Sequence, residues 1–395
     1  MKWKTESLGE IALMTSGGTP SKKNPEYYEK GTIPWVRSGE LENGAICDTE
    51  IKITQVGLEN SSAKIFPKGT LLIALYGATI GKLAWLDIEA CTNQAVCGIF
   101  ENEKVSLKYL YYYLLLHRPD LIKQGIGGAQ ANISQTILKK LMVSYPVDRS
   151  EQMRIVARIE ELFSELDNGV ETLRKTKQQL AAYRKAVLKH VFAPKEDWRK
   201  ATVADIGEVN LGRQRSPKHV SNDYPTKYIR AANITENGLA LDDVLEMEFS
   251  PEERKKYYLH NGDIVISEAS GSASQVGKPA IWRGEIPNCC FQNTVIRHRV
   301  ISEHPEYVFW YYKYLYVCGY FSKIVGGVGI NHLGAKNFAS IEVDLAPVEK
   351  QLQVVAQIET RLSLCDSIEK TVDTALQQAE AMRQSILKKA FEGRI

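Results

Sequence analysis

Gln152-Met-Arg-Ile-Val-Ala-Arg-Ile-Glu160 and Gln351-Leu-Gln-Val-Val-Ala-Gln-Ile-Glu359 are two versions of one segment, written 199 residues apart. The same offset pairs Asp167 with Asp366, Arg184 with Arg383, Leu188 with Leu387 and Phe192 with Phe391. Residues 151–192 hold no proline and one glycine. Their apolar positions recur every three to four residues, the spacing that keeps one stripe facing a partner helix. In the first copy the stripe runs through Ile155, Ile159, Leu162, Leu166, Leu173, Leu180, Tyr183 and Val187, weakened at Gly169 and Thr176. In the second it runs through Val354, Ile358, Cys365, Ile368, Val372, Ala375, Ala379, Met382 and Ile386. Two long helices are expected, each roughly 60 Å long at 1.5 Å per residue. That exceeds what a single domain of about 150 residues accommodates, so the helices should pair with one another.

Upstream of each helix the likeness is fainter but keeps its order. Trp3 and Gly9-Glu10 answer to Trp198 and Gly207-Glu208, and Trp35-Val36-Arg37 to Tyr228-Ile229-Arg230. Gly69-Thr-Leu-Leu-Ile73 answers to Gly262-Asp-Ile-Val-Ile266, and Gly81-Lys82 to Gly277-Lys278. Asn93-Gln94 sits where Gln292-Asn293 does; Gly127-Gly128 with Asn132 sits where Gly326-Gly327 with Asn331 do. A repeat this long is no solenoid unit. The expected fold is α+β: two similar domains, each a twisted, mostly antiparallel sheet with helices, at residues 1–150 and 195–348. Each is followed by a long helix, 151–194 and 349–395.

Charge sets the helix direction. The first helix is acidic early (Glu160, Glu161, Glu165, Asp167, Glu171) and basic late (Arg174, Lys175, Lys177, Arg184, Lys185, Lys189). The second repeats that polarity, from Glu359, Asp366, Glu369 and Asp373 to Arg383, Lys388 and Lys389. Only an antiparallel coiled coil sets acid beside base. Such a pair relates two domains by a pseudo-twofold axis, the geometry of dimeric DNA readers with spaced half-sites. The expected target is a bipartite DNA site whose gap is set by the helices.

Composition narrows the field. The 395 residues carry a net charge of +3, so any DNA contact must come from local basic patches. No apolar run approaches the roughly 20 residues that span a bilayer, and no apolar signal core opens the chain, which points to the cytoplasm. Seven cysteines without a CxxC pair argue against a disulfide framework or a zinc site. Gly77-Ala-Thr-Ile-Gly-Lys82 is one residue short of a nucleotide-binding loop, and Leu83 replaces the magnesium-binding hydroxyl. Asn24-Pro-Glu-Tyr27 imitates an amino-methyltransferase box but has no glycine-rich cofactor motif to serve. The histidines form no HExxH cluster. No catalytic constellation is expected, and no metal site.

This organisation resembles the specificity subunits of Type I restriction–modification enzymes over the full chain. The resemblance is carried by Leu8-Gly-Glu-Ile11 with Ser16-Gly-Gly-Thr-Pro-Ser21, Ile33-Pro-Trp-Val-Arg37, Leu71-Leu-Ile-Ala-Leu-Tyr-Gly-Ala-Thr-Ile-Gly-Lys82, Thr92-Asn-Gln-Ala95, and Glu151-Gln152 at the helix start. It implies two target-recognition domains, each seeing one element of a double-stranded DNA site. It also implies helices that dock two methyltransferase subunits carrying S-adenosylmethionine, and restriction subunits driven by ATP and Mg. This chain itself would bind no cofactor. The second domain departs from the pattern: Gly207-Glu-Val-Asn-Leu-Gly-Arg-Gln-Arg-Ser-Pro217 replaces the Gly-Gly-Thr-Pro wording, so a different DNA element is expected there. The competing reading is a coiled-coil scaffold that binds DNA without sequence preference, if at all.

Three loop types recur as candidate DNA contacts. The first is polar and basic: Ser16, Gly17, Gly18, Thr19, Lys22 and Lys23 in copy one, Arg213, Arg215 and Lys218 in copy two. Its backbone amides and cations suit phosphates, which set register without giving sequence. A solvated turn is an equal alternative for any one of these residues. The second follows a strand: Tyr76, Thr79 and Lys82, against Ser270, Ser272, Gln275 and Lys278. The third holds Gln130 with Asn132, and Asn331 with His332. Asn and Gln suit adenine, although Asn132 and Asn331 suit turn capping better. Arg37 and Arg230 stand at equivalent strand ends, as readers or as internal ion-pair partners.

Overall fold

The computed structural model describes residues 2–125, 132–214, 224–325 and 331–395. The chain divides into two compact units, Met1–Leu173 with Thr374–Ile395, and Arg174–Asp373. Each unit therefore takes one half of each long helix.

In the first unit a five-stranded sheet runs in the order Met14–Ser16, Val96–Ile99, Leu71–Ala74, Leu83–Leu86, Ala45–Ile46. A four-stranded sheet joins Lys52–Ile53, Ile33–Val36, Ala90–Thr92 and Ile65–Phe66. Most pairings are antiparallel, but Trp35-Val36 runs parallel to Cys91-Thr92. The second unit repeats the plan: Gly207–Leu211, Val295–Val300, Ile264–Ser267 and Pro279–Ile281 form one sheet, and Leu245–Glu248, Pro225–Ile229 and Cys290–Phe291 another. There Tyr228-Ile229 runs parallel to Cys290-Phe291. Thus the one parallel register that joins Trp35 to its neighbour recurs at Tyr228, as the repeat requires.

The first long helix spans Arg149–Val191 and the second Val348–Phe391. Each is pinned at its start by a fully buried glutamine. Gln152 accepts a hydrogen bond from the Ser106 amide and donates to the Lys104 and Pro146 carbonyls, all at 2.9 Å. Gln351 accepts from the His304 amide at 3.0 Å and donates to the Ala346 carbonyl at 3.0 Å and to Glu303. A buried amide with every polar atom bonded fixes the helix to its sheet, and leaving those partners unmet costs about 1–3 kcal/mol.

Each helix opens in the core of one unit and closes in the core of the other. Ile155, Val156 and Ile159 pack with Leu387 and Ala390 in the first unit, while Val187, Leu188 and Phe192 pack with Val354, Ile358 and Leu362 in the second. The Phe391 ring lies 5.0 Å from Tyr109 and 5.1 Å from Tyr113. Its counterpart Phe192 lies 5.6 Å from Tyr307 and 5.2 Å from Tyr311.

The helix halves within each unit run antiparallel. In the second unit Lys177 bonds Asp373 at 2.8 Å and Arg184 bonds Glu369 at 2.6 Å, so numbers rise on one helix as they fall on the other. In the first unit Arg383 pairs with Asp167, its guanidinium 5.0 Å from the Phe163 ring centre. Arg184 likewise reaches Asp366. The arginine and aspartate that match across the repeat thus bond reciprocally, each to the other helix.

The seam itself corrects the sequence reading at four places. Ile368 and Met382 are 38% and 53% exposed, Tyr183 is 49% exposed and Gly169 is exposed too. A strict three-four alternation from Leu362 reaches Cys365, Glu369, Val372, Leu376, Ala379 and Arg383 instead. In the first helix the matching seam residues are Val170 and Arg184. At Tyr183, Ile368 and Met382 apolar character favoured one neighbour, whereas the helix period selected the next residue and used the half-buried Arg184, Glu369 and Arg383 for interhelical ion pairs.

Candidate nucleic-acid interface

The candidate loops hang on a backbone frame that both units build with the same hydrogen bonds. In the first loop, the Gly17 amide donates to Val96 O at 3.3 Å and the Gly18 amide to Thr92 O at 2.9 Å. In the second unit the Gly212 amide donates to Val295 O and the Arg213 amide to Phe291 O, both at 3.1 Å. Glycine is required at this approach: a Cβ on Gly17 would lie 2.0 Å from Thr92 O, and one on Gly212 2.2 Å from Gln292 O. Those amides, expected to serve phosphates, are already spent inside the fold. Ser16 accepts from the Gln135 amide at 2.7 Å, and Thr19 donates to Gln94. Lys22 and Lys23 are exposed and stand at the surface of this loop.

The second and third loop types meet in both units. The Ile133 amide donates to Leu75 O at 2.7 Å beside a bridge between Tyr76 and Asn132. The Leu333 amide donates to Glu268 O at 2.9 Å, beside the pairs Ala269 with His332 and Ser270 with Asn331. This register matches Asn132 to His332, one residue beyond the Asn331 that the sequence alignment chose. Glu268, buried on its strand, accepts from His332 Nδ1 at 3.1 Å and from the Gly334 amide at 3.3 Å. Gln130, Arg215 and Lys218 lie outside the described residues.

Arg37 and Arg230 prove to be ion-paired. Arg37 bonds Glu40 at 3.1 Å and also Glu50; Arg230 bonds Asp243. Hydrogen bonding to Glu40 and the neighbouring Glu50 carboxylate raise the Arg37 guanidinium further above its ordinary value. In both copies an acid thirteen residues downstream answers the arginine, a spacing legible in the aligned sequence and missed there. Arg213 is also engaged: it bonds Glu253 at 2.6 Å and lies 5.2 Å from the Phe249 ring centre. Thr79 donates to Ser38 O at 2.8 Å. Ser272 bonds Ser274 at 2.8 Å. Lys278 is drawn inward to Gln275 and, at 3.5 Å, to Glu236. Lys82, its match in the first unit, is half-buried.

One architecture of two like units, two reciprocally paired helices and loops differing on a common frame invites comparison with known proteins. The model of the Type I restriction modification DNA specificity domain matches residues 1–180 and again 195–378. The chain belongs to the Type I restriction–modification DNA specificity family. Among curated relatives, the EcoKI specificity subunit of Escherichia coli strain K12 is 23% identical over 416 residues, covering 100% of this chain and 89% of its own. The StySPI specificity subunit of Salmonella potsdam matches with the same identity and coverage, 23%, 100% and 89%. Two solved structures show the same fold. A chain from work on complex assembly and conformational transition of the type I R-M system superposes with a TM-score of 0.77 at 17% identity, covering 100% of this chain and 98% of that one. The HsdS subunit from Thermoanaerobacter tengcongensis gives 0.53 at 18% identity, covering 100% and 97%.

Membership fixes the class of work: this specificity protein recognises DNA sequence and is not itself the catalyst. It disfavours the scaffold reading. Among the described residues no helix is long and apolar enough to cross a membrane. The cysteines are free, and burial pushes the Cys91 thiol up to about 11 and that of Cys97 to about 12, so both are packing residues.

Proposed function

We propose that the two units each read one element of a bipartite, gapped DNA site, that the helix pair sets the gap, and that methyltransferase subunits dock on this chain. The observation that carries the reading is the shared frame with unshared surfaces. Identical backbone bonds hold Gly17-Gly18 and Gly212-Arg213, and Arg37–Glu50 repeats as Arg230–Asp243. Yet the residues that the loops present differ: Tyr76-Gly-Ala-Thr-Ile against Ala269-Ser-Gly-Ser-Ala-Ser-Gln-Val. A fixed scaffold with exchangeable side chains is what reading two different sequences needs. Lys22 and Lys23 then serve phosphates, and the loops at Tyr76 and Ser270 approach base edges. This chain binds no cofactor; S-adenosylmethionine belongs to the methyltransferase partners, and ATP with Mg to restriction subunits.

The test is the genome-wide map of methylated adenine in the source organism, with the gene intact and deleted. One bipartite gapped motif is expected to vanish on deletion. If instead the reconstituted complex binds all duplexes alike, the reading is wrong.

A further inference from the structure

The second unit holds a cleft of about 510 Å³ between the turn at Ala231–Asn233 and the loop after strand Ile264–Ser267. Thr235, Glu236, Ser270, Gln275 and Lys278 line it together with small alanines. In the first unit a hydrogen bond crosses the same corner. Thr79 stands two residues before Gly81, as Gln275 stands two before Gly277, and its hydroxyl bonds the carbonyl of Ser38, the counterpart of Ala231.

The charged residues of the lining are Lys278 and Glu236, and Lys313, outside the lining, also reaches Glu236. Glu236 accepts from the Tyr316 hydroxyl at 2.7 Å and faces Lys278 at 3.5 Å and Lys313 at 3.7 Å. Two ammonium groups thus meet one carboxylate. Glu268, just past the end of the strand, is not among the lining residues and is held by His332 and the Gly334 amide. The Ser270 hydroxyl and Gln275 amide add neutral donors. With Lys313 behind Glu236 the cluster carries one excess positive charge, and with these donors it suits an anion rich in acceptor oxygens.

Shape narrows the choice. Base edges in a duplex lie at the floor of a groove about 8.5 Å deep, so a side chain that reads them must stand out from the protein. Lys278 does the reverse, with only 10% of its side chain exposed at the inner wall of a concavity. What reaches a recessed ammonium is a group projecting from the duplex. An extruded base also projects, but it needs a flat partner to stack on, and no aromatic ring is among the lining residues. A backbone phosphate needs none.

We propose that this cleft is a phosphate seat, with Lys278 as its anchor, which takes one phosphodiester of the DNA backbone and fixes the register of the second unit without reading sequence. The inference rests on the DNA-reading role above. It assigns the two units unequal shares of backbone binding, because the Thr79–Ser38 bond crosses the matching corner of the first unit.

The test compares wild type with Lys278→Gln and Ala232→Leu, each as the full chain in its methyltransferase complex. Binding to duplexes with and without the mapped motif is followed from about 50 to 200 mM KCl. Lys278→Gln should weaken both duplexes by the same factor and reduce the slope of log K against log salt by about 1, with the methylated motif unchanged. Ala232→Leu fills the cleft from its exposed rim, leaves every charge in place, and should reduce the slope equally. A changed motif in Lys278→Gln would make Lys278 a base reader and overturn the proposal. An unchanged slope in both variants would remove the cleft from the DNA contact. Loss of motif discrimination in wild type, with the slope effect intact, would sink the sequence-reading role and spare the phosphate seat.

Discussion

The two units solve the same structural problem with different chemistry along one strand. In the first, Val96–Ile99 is wholly buried: Gly98 lies against Phe66, and Ile99 joins the apolar core. In the second, the matching strand carries Arg297, His298 and Arg299. Arg299 bonds Asp263 at 2.7 and 2.8 Å, Arg297 donates to Lys256 O at 3.1 Å, and His298 bonds the Tyr312 hydroxyl at 2.8 Å. Asp263 stands where Thr70 does, and both amides close the same turn, to His260 O and Pro67 O. The backbone frame accepts either filling, although Arg297 Nε and His298 Nε2 stay buried without a hydrogen-bond partner. That tolerance lets one fold present two surfaces, and it predicts that the units fail for different reasons.

The largest expected effect separates them outright. Asp263→Ala leaves Arg299 with only the Tyr258 carbonyl and leaves the His260 amide unmet, and should destabilise the second unit by about 3 kcal/mol. Thr70→Ala removes the 2.7 Å bond from its hydroxyl to Pro67 O together with a buried methyl, and should cost the first unit about 2 kcal/mol. Hydrogen exchange resolved by segment checks both; equal losses would break the contrast.

Acid should act on the second unit through His298. Burial pushes the His298 imidazole down to about 4. The unfolded chain therefore takes up a proton below its ordinary value of about 6.5 while the folded unit stays neutral. Stability falls by about 1.4 kcal/mol per pH unit as pH drops from about 6.5 to about 4, and the loss is complete below that. Ile99 occupies the matching place in the first unit and does not titrate. Exchange rates in the second unit that do not respond between pH 6.5 and 4 would contradict this. His298→Leu should flatten the response.

The smallest effect tests what the units share. Arg184→Ala removes the interhelical pairs to Asp366 and Glu369, and Arg383→Ala the pair to Asp167; each variant should cost about 0.5–1 kcal/mol, since these groups are partly exposed. The two losses should be alike and nearly additive in thermal unfolding, because the pairs lie in separate units. A large or unequal loss would mean that the seam is less symmetric than its sequence.

Much of this was readable in the chain. The repeat, the long helices and their direction follow from period and charge, which act over dozens of residues and average out local noise. The seam slipped by one residue where Ile368 and Met382 offered better apolar candidates than Glu369 and Arg383, because pattern reading weighs side-chain type while the helix obeys rotation. At the loops less was legible. Gly17, Gly18 and Thr79 look free as a string of letters; only folding shows that Val96, Thr92 and Ser38 already hold them. Lys278 looked like an exposed cation because nothing in sequence brings Glu236 and Lys313 to it.

One consequence concerns how such a chain is made. The first unit needs Leu387, Ala390 and Phe391 against Tyr109 and Tyr113, so its core waits for residues translated after the entire second unit. The domain that leaves the ribosome first is the last to be completed, and until then an apolar face stays open beside the nascent chain. A chain cut short near residue 373 lacks Leu387, Ala390 and Phe391 and so leaves that face of the first unit uncovered.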